Sequence, residues 1–242
     1  MSLHRSYPDP TRGVFETLLV RDGRPVELDA HLSRLGASVA GLYALPVPHS
    51  VEEQVAGHAQ GVRLGRLRLT IVPNAEASLA ADVRVAPVDD ALVFPAFDRA
   101  VRVRRLLVPG GLGAHKWADR RLVEEAEREG DGSLPLIQDS DGCVLEASRA
   151  NVFVVEGGRI VTPPADGRIL PGVTRGRVLE LMRVREEAVS FERLLAADEV
   201  FLSGAIRGVE PVRACGGYPE WAEGVVTPAV SDELRRCWER DP

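Results

Sequence analysis

Gly110-Gly111-Leu112-Gly113-Ala114-His115-Lys116-Trp117-Ala118-Asp119-Arg120-Arg121 is the stretch on which the reading of this chain turns. Its first half is a break. With Pro109 it places three glycines and a proline within five residues, a composition that ends regular structure and predicts a linker. Its second half holds the chain's one lysine: of thirty Lys and Arg residues, Lys116 alone carries a primary amine. A guanidinium stays protonated and cannot form a Schiff base, so a chain rich in arginine that keeps a single lysine points to a need for an amine. A lone surface lysine would leave the same trace in the sequence. A glycine-rich run ending in lysine also invites a phosphate-loop reading. That reading fails, because His115 stands where the motif needs glycine and Trp117 where it needs Ser or Thr.

Before the break, residues 14–20 read as a strand, Arg21-Asp22-Gly23-Arg24 as a turn and residues 25–28 as a returning strand. Asp29 is predicted to cap a helix through Tyr43, in which Leu32, Leu35, Val39 and Leu42 have helical spacing. Pro46 and Pro48 end it, and a second helix is predicted over residues 50–62. Residues 67–72, 82–87 and 101–107 read as strands. The arginine clusters at 63–68 and 99–105 alternate with apolar residues, as on strands with one wet face. The expectation is a small α+β domain over residues 1–108, a linker at 109–113 and a larger domain over 114–242. In the latter, a helix is predicted at 118–128 with Leu122, Val123 and Ala126 inward. Two hairpins follow, 134–138 with 143–145 and 151–155 with 159–161. A helix is predicted after Pro171-Gly172, strands at 200–203 and 209–212, and a closing helix at 229–239.

Composition narrows the function. With 45% hydrophobic and 27% charged residues over 242 positions, the chain is globular in composition and long enough to bury a core without staples. No apolar run approaches the ~18 residues of a membrane span, so no membrane association is expected. Residues 1–10 carry Arg5, Asp9 and two prolines and lack the apolar region of a secretion signal. The net charge of -6 argues against nucleic acid as a partner. Cys143, Cys215 and Cys237 are far apart and odd in number, so a reducing cytoplasm is the expected compartment. None of the five histidines lies at zinc spacing from another His or a Cys, and no metal centre is expected. No Gly-x-Ser-x-Gly nucleophile elbow occurs.

Five segments in order then carry a resemblance. They are Gly13-Val14-Phe15-Glu16-Thr17, His31-Leu32-Ser33-Arg34-Leu35, Lys116-Trp117-Ala118-Asp119-Arg120, Glu146-Ala147-Ser148-Arg149-Ala150-Asn151-Val152-Phe153, and Thr162-Pro163-Pro164 followed by Leu170-Pro171-Gly172-Val173-Thr174-Arg175. From about Gly13 to Val212 the chain resembles the class IV (fold type IV) enzymes of pyridoxal 5'-phosphate: branched-chain aminotransferase, D-amino-acid aminotransferase and 4-amino-4-deoxychorismate lyase. The resemblance implies a two-domain α+β fold, a small α+β domain plus a larger pseudo-barrel α/β domain, and a homodimer. It implies Lys116 as the Schiff-base and catalytic lysine and Glu146 beside the pyridine nitrogen. Arg34, Val173 and Thr174 fall on the cofactor phosphate, and Ala205 stands at a further cofactor-binding position. Phe15, Arg68, Arg120 and Arg207 are the substrate-binding candidates.

Departures from the pattern separate the branches. Pro10 stands where branched-chain aminotransferases carry a tyrosine, and Arg121 replaces another. Ser203-Gly204-Ala205-Ile206 lacks their phosphate-binding threonine. Arg120, four residues after the lysine, and Ala150-Asn151-Val152-Phe153 are similar to the lyase. The resemblance therefore implies a lyase of the folate pathway that makes 4-aminobenzoate and pyruvate from 4-amino-4-deoxychorismate. The substrate amine would join the cofactor as an imine, and Lys116 would remove the proton from the carbon that bears it. A class IV aminotransferase acting on branched-chain or D-amino acids is the alternative, and a non-catalytic protein on the same fold a third reading.

Overall fold

The computed structural model describes residues 8–74 and 78–240. Residues 1–7, read above for a secretion signal, lie outside the described residues. The chain divides into two compact units. The first holds residues up to Asp90 and takes back His115–Arg120; the second holds Ala91–Ala114 and Arg121–Arg240.

In the first unit, β1 (Val14–Arg21) turns through Asp22 and Gly23 into the short β2 (Arg24–Pro25). The returning strand is shorter than the sequence suggests, because Glu27 adopts a left-handed conformation (φ 57°) and starts α1 (Leu28–Tyr43) there. Glu27, not Asp29, therefore occupies the N-cap; Asp29 lies inside the first turn, where its charge favours the positive end of the helix. Helix α2 (Val51–Ala59) is likewise shorter than predicted. The antiparallel β3 (Leu64–Pro73) and β4 (Leu79–Pro87) complete a sheet of order β2-β1-β3-β4. Val14, Leu18, Val20, Leu67, Leu69 and Ile71 of the sheet pack on Leu35 and Val39 of α1 and Val55 of α2. The alternating burial of β3 leaves its arginines off that core.

Gly13 sits where β1 starts, at φ +85°, and a Cβ there would lie 2.0 Å from the carbonyl oxygen of Ile71. Both facts demand glycine. Gly13→Ala is expected to cost at least about 2 kcal/mol of stability, through left-handed strain and collision with a strand backbone. Chemical denaturation checks this; an unchanged midpoint would refute the reading.

The second unit starts with β5 (Val101–Leu107), a strand the sequence assigned to the first domain. It pairs in parallel with β6 (Leu134–Gln138) and β13 (Gly208–Cys215), which places it in the second sheet. Between β5 and β6 runs α3 (Arg121–Glu129), with Val123 and Ala126 buried. The predicted helix over 118–128 loses its first residues because Ala118 and Asp119 are tied elsewhere, as described below. After β6 come β7 (Cys143–Ala147), β8 (Ala150–Glu156), β9 (Arg159–Thr162), α4 (Val173–Leu181), β10 (Val184–Glu186), β11 (Val189–Ser190), α5 (Phe191–Leu195), β12 (Glu199–Gly204), β13 and α6 (Val226–Arg240). The strands β8-β12-β13-β5-β6-β7 form a ring, closed where the hairpin partner β7 pairs with the start of β8. The barrel interior is filled by Val103, Leu134, Leu136, Val144, Val152, Val154, Val200, Leu202 and Val212. No described helix is long and apolar enough to cross a membrane.

Candidate active site

Lys116 belongs to the first unit. Its segment adds to β1 as a short antiparallel strand: the Phe15 N–H donates to the Lys116 carbonyl (2.9 Å), the Ala118 N–H donates to the Gly13 carbonyl (3.0 Å), and Val14 faces Trp117. The Asp119 carboxylate is buried and accepts the Asp9 N–H at 3.0 Å. These bonds hold residues 116–119 extended, so the helix cannot begin before Arg121. Trp117 packs on the first unit's core.

Side chains on a strand alternate faces. On one face of β1, the buried Phe15 ring gathers three cations. The Arg68 guanidinium lies 3.8 Å from its centroid, the Lys116 Nζ 5.1 Å and the Arg120 guanidinium 5.9 Å. A ring face carries negative potential, which favours cations placed over it. Three of the sequence-predicted residues therefore converge with Lys116.

On the other face, the buried Glu16 carboxylate accepts from His31 Nδ1 (2.7 Å) and from Arg34 Nε and Nη2 (2.8 and 2.6 Å). The two parallel bonds fix the guanidinium plane. Burial pushes the Glu16 carboxyl up, but the hydrogen bonds from His31 and Arg34 and the charge of Arg34 outweigh it and bring it down from 4.5 to about 2. Burial lowers the His31 pKa, and the neighbouring charges of Arg34 and Lys116 act in the same direction, against the pull of Glu16. Glu16 and His31 lie within the motif segments, but the motifs assign neither a role. Their signal was an acid and a His flanking the candidate arginine in adjacent elements.

Glu146 lies in the second unit, and a β-bulge aims it. Leu136 pairs with Ala147 and Gln138 with Val144, so β7 carries one residue more than β6 over the same span. Val144 points into the barrel. Without the extra residue, strict alternation would send Glu146 inward as well. Instead Glu146 stands opposite Asn151, whose neighbour Val152 is interior, so both polar side chains face outward from the barrel. Glu146 is buried there and accepts the Leu170 N–H at 3.3 Å, with the Asn151 amide at 3.5 Å. Asn151 also donates to the Leu170 carbonyl (2.9 Å).

Helix α4 begins at Val173, as the Pro171-Gly172 turn predicts, with Thr174 buried in its first turn. Gly172 makes this start possible: a Cβ there would lie 2.0 Å from Asn151 Oδ1. Ala205 falls in the turn after β12. Arg207, in the same turn, is bonded to the buried Glu210. Burial raises the Glu210 carboxyl, and the charges of Arg207 and Arg149 oppose this.

The residues thus form two sets: Phe15, Arg34, Arg68, Lys116 and Arg120 in the first unit, and Glu146, Val173, Thr174, Ala205 and Arg207 in the second. Comparison with known proteins identifies the family. The family described as amino-transferase class IV matches residues 13–215, and the chain belongs to it. It is a family of pyridoxal-phosphate enzymes. The chain is 31% identical over 218 residues to a bifunctional aminodeoxychorismate lyase / D-amino acid transaminase of Mycobacterium tuberculosis, covering 77% of this chain and 74% of the relative. It is 39% identical over 84 residues to a branched-chain-amino-acid aminotransferase of Escherichia coli; that stretch is 33% of this chain and spans only 27% of the relative's length. A solved structure of 4-amino-4-deoxychorismate lyase from Pseudomonas aeruginosa superposes with a TM-score of 0.79 at 27% identity, over 98% of this chain and 96% of that one.

Proposed function

We propose that the protein is a lyase that converts 4-amino-4-deoxychorismate to 4-aminobenzoate and pyruvate. The observation that carries this reading is the gathering of Arg68 and Arg120 with Lys116 on the Phe15 ring. Two guanidiniums beside one amine suit a substrate with two carboxylates, because each guanidinium can bond one carboxylate through two parallel N–H groups.

The side chains present fit pyridoxal phosphate. They include one amine, a buried carboxylate, a guanidinium held in plane by Glu16, a helix start for a phosphate, and a buried hydroxyl with no partner among the described residues. When bound, that group supplies an electron sink for charge developing at the carbon bearing the substrate amine. Lys116 would hold it and then act through Nζ as the base that takes the proton from that carbon. Glu146 would keep a proton on the ring nitrogen, because a carboxylate beside a cation favours the charged form. Val173 and Thr174 N–H groups and Arg34 would take the phosphate. Arg68 and Arg120 would orient the substrate so that the enolpyruvyl group leaves from the carbon next to the one deprotonated. Lys116 can return its proton to the departing enolpyruvate, which becomes pyruvate. The homodimer and the cytoplasmic location belong to the same proposal.

The test is product formation. With aminodeoxychorismate supplied, 4-aminobenzoate and pyruvate should appear together. Arg68→Ala should raise KM about tenfold or more, the worth of a charged hydrogen bond, while Arg207→Ala, whose guanidinium is engaged by Glu210, should change KM far less. A second reading, a class IV aminotransferase, is favoured by the E. coli relative and by the second activity named for the M. tuberculosis relative. Amino transfer to 2-oxo acids without 4-aminobenzoate would establish it instead.

A further inference from the structure

We propose that Arg168 is a positioning residue for Glu146: by holding three carboxylates at once, its guanidinium fixes the loop whose Leu170 N–H bonds the Glu146 carboxylate. The inference rests on the reading above, in which Glu146 meets the cofactor's ring nitrogen. Residues 163–172, between β9 and α4, form neither helix nor strand, so no ladder of backbone bonds sets the place of Leu170. Both backbone groups of Leu170 are nevertheless engaged. Its N–H lies 3.3 Å from each Glu146 carboxylate oxygen, and its carbonyl accepts from Asn151. A buried carboxylate aimed by a loop residue needs that loop anchored.

The two residues before Leu170 supply the anchor. Ile169 is buried among Val108, Ile137 and Leu145. The Arg168 guanidinium bonds Asp166 through Nε and Nη2 (3.0 and 2.8 Å) and reaches Asp139 (3.2 Å) and Asp141 (3.1 Å) through Nη1. The Arg168 carbonyl accepts the Gly113 N–H at 3.2 Å. Gly111 packs on the same carbonyl so closely that a Cβ there would lie 2.1 Å from its oxygen. Asp139 and Asp141 belong to the turn between β6 and β7, and β7 carries Glu146. One guanidinium therefore ties the strand that bears Glu146 to the loop that bonds it. Asp139 is itself fixed, accepting the N–H groups of Gly110 (2.8 Å) and Ser140 (2.6 Å). These bonds, together with Arg168, hold its carboxyl down to about 2, so the bridge stays charged at neutral pH. Arginine suits the task, because its planar fork serves several carboxylates at fixed angles where a lysine offers one point charge. The Arg168 side chain is 27% exposed, and ion pairs this open to water add little to stability. What the cluster secures is geometry.

The experiment compares wild type with Arg168→Met, which keeps an unbranched side chain and removes its donors. In apo-protein, hydrogen exchange at the Leu170 amide should speed up about tenfold or more. In protein loaded with pyridoxal phosphate, the visible absorption band should titrate about half a pH unit or more away from wild type. The kcat for 4-aminobenzoate should fall about tenfold, with KM within about twofold. Arg193→Met removes a comparable cluster, in which the guanidinium bonds Glu156 and Glu187, and should leave exchange, band and kcat at wild-type values. In a Glu146→Gln background, Arg168→Met should move the band no further. A shift as large there as in the native background would show an effect that bypasses Glu146 and would overturn the proposal. Unchanged Leu170 exchange in Arg168→Met, or an equal band shift in Arg193→Met, would overturn it too. Wild-type protein that binds no pyridoxal phosphate would overturn the proposed function, and Leu170 exchange would still decide whether Arg168 holds the loop on Glu146.

Discussion

Lys116→Ala should leave a folded protein whose turnover has fallen by at least about a thousandfold. Folding should survive because the segment is held through its backbone: the Lys116 carbonyl accepts from Phe15 and the Ala118 N–H donates to Gly13, and neither bond uses the amine. Trp117, the residue that packs on the core, is untouched. Lys116→Arg should be no better, since arginine keeps the charge over Phe15 but offers no primary amine that can lose its proton. Added methylamine should restore part of the activity of the alanine variant and none of a variant damaged in its fold. Activity within about threefold of wild type in Lys116→Ala would remove the basis of the proposed function.

The second large effect concerns stability. Glu16→Ala strands Arg34 and His31 without the carboxylate that both bond, and breaking a buried ion pair in this way costs about 3–5 kcal/mol. Glu16→Gln, which keeps the shape, isolates the charge. Because the folded carboxyl is depressed to about 2 from an ordinary 4.5, ionised Glu16 stabilises the fold fully above pH 4.5, and that contribution disappears as pH falls toward 2. The stability difference between wild type and Glu16→Gln should therefore narrow by about 1 kcal/mol between pH 7 and pH 3.5. Urea denaturation at the two pH values measures it. A difference that stays constant or widens on acidification would show that Glu16 is not held ionised by Arg34.

Much of this architecture was legible in the chain because it rests on local patterns. Strand β5 has the predicted bounds, α4 starts where Pro171-Gly172 says, and Leu35 and Val39 lie in the core as helical spacing requires. What the sequence concealed depends on partners distant along the chain. Strand β5 joins the second sheet because β13, over a hundred residues later, pairs with it. The helix expected from Ala118 is cut back by bonds from Ala118 and Asp119 to residues near the N-terminus. At the candidate site, motif order could name Lys116, Arg34 and Glu146. It could not show that a bulge turns Glu146 out of the barrel, that Glu16 clamps Arg34, or that Arg68 and Arg120 meet over one ring while Arg207 is engaged by Glu210. Each of those facts depends on strand register, which a one-residue slip reverses.

The most direct measurement is chemical. Purified protein equilibrated with pyridoxal phosphate is reduced with borohydride, digested, and its peptides weighed by mass spectrometry. The expectation is a phosphopyridoxyl adduct on the peptide containing Lys116, the one lysine of the chain. Complete recovery of that peptide unmodified would contradict it.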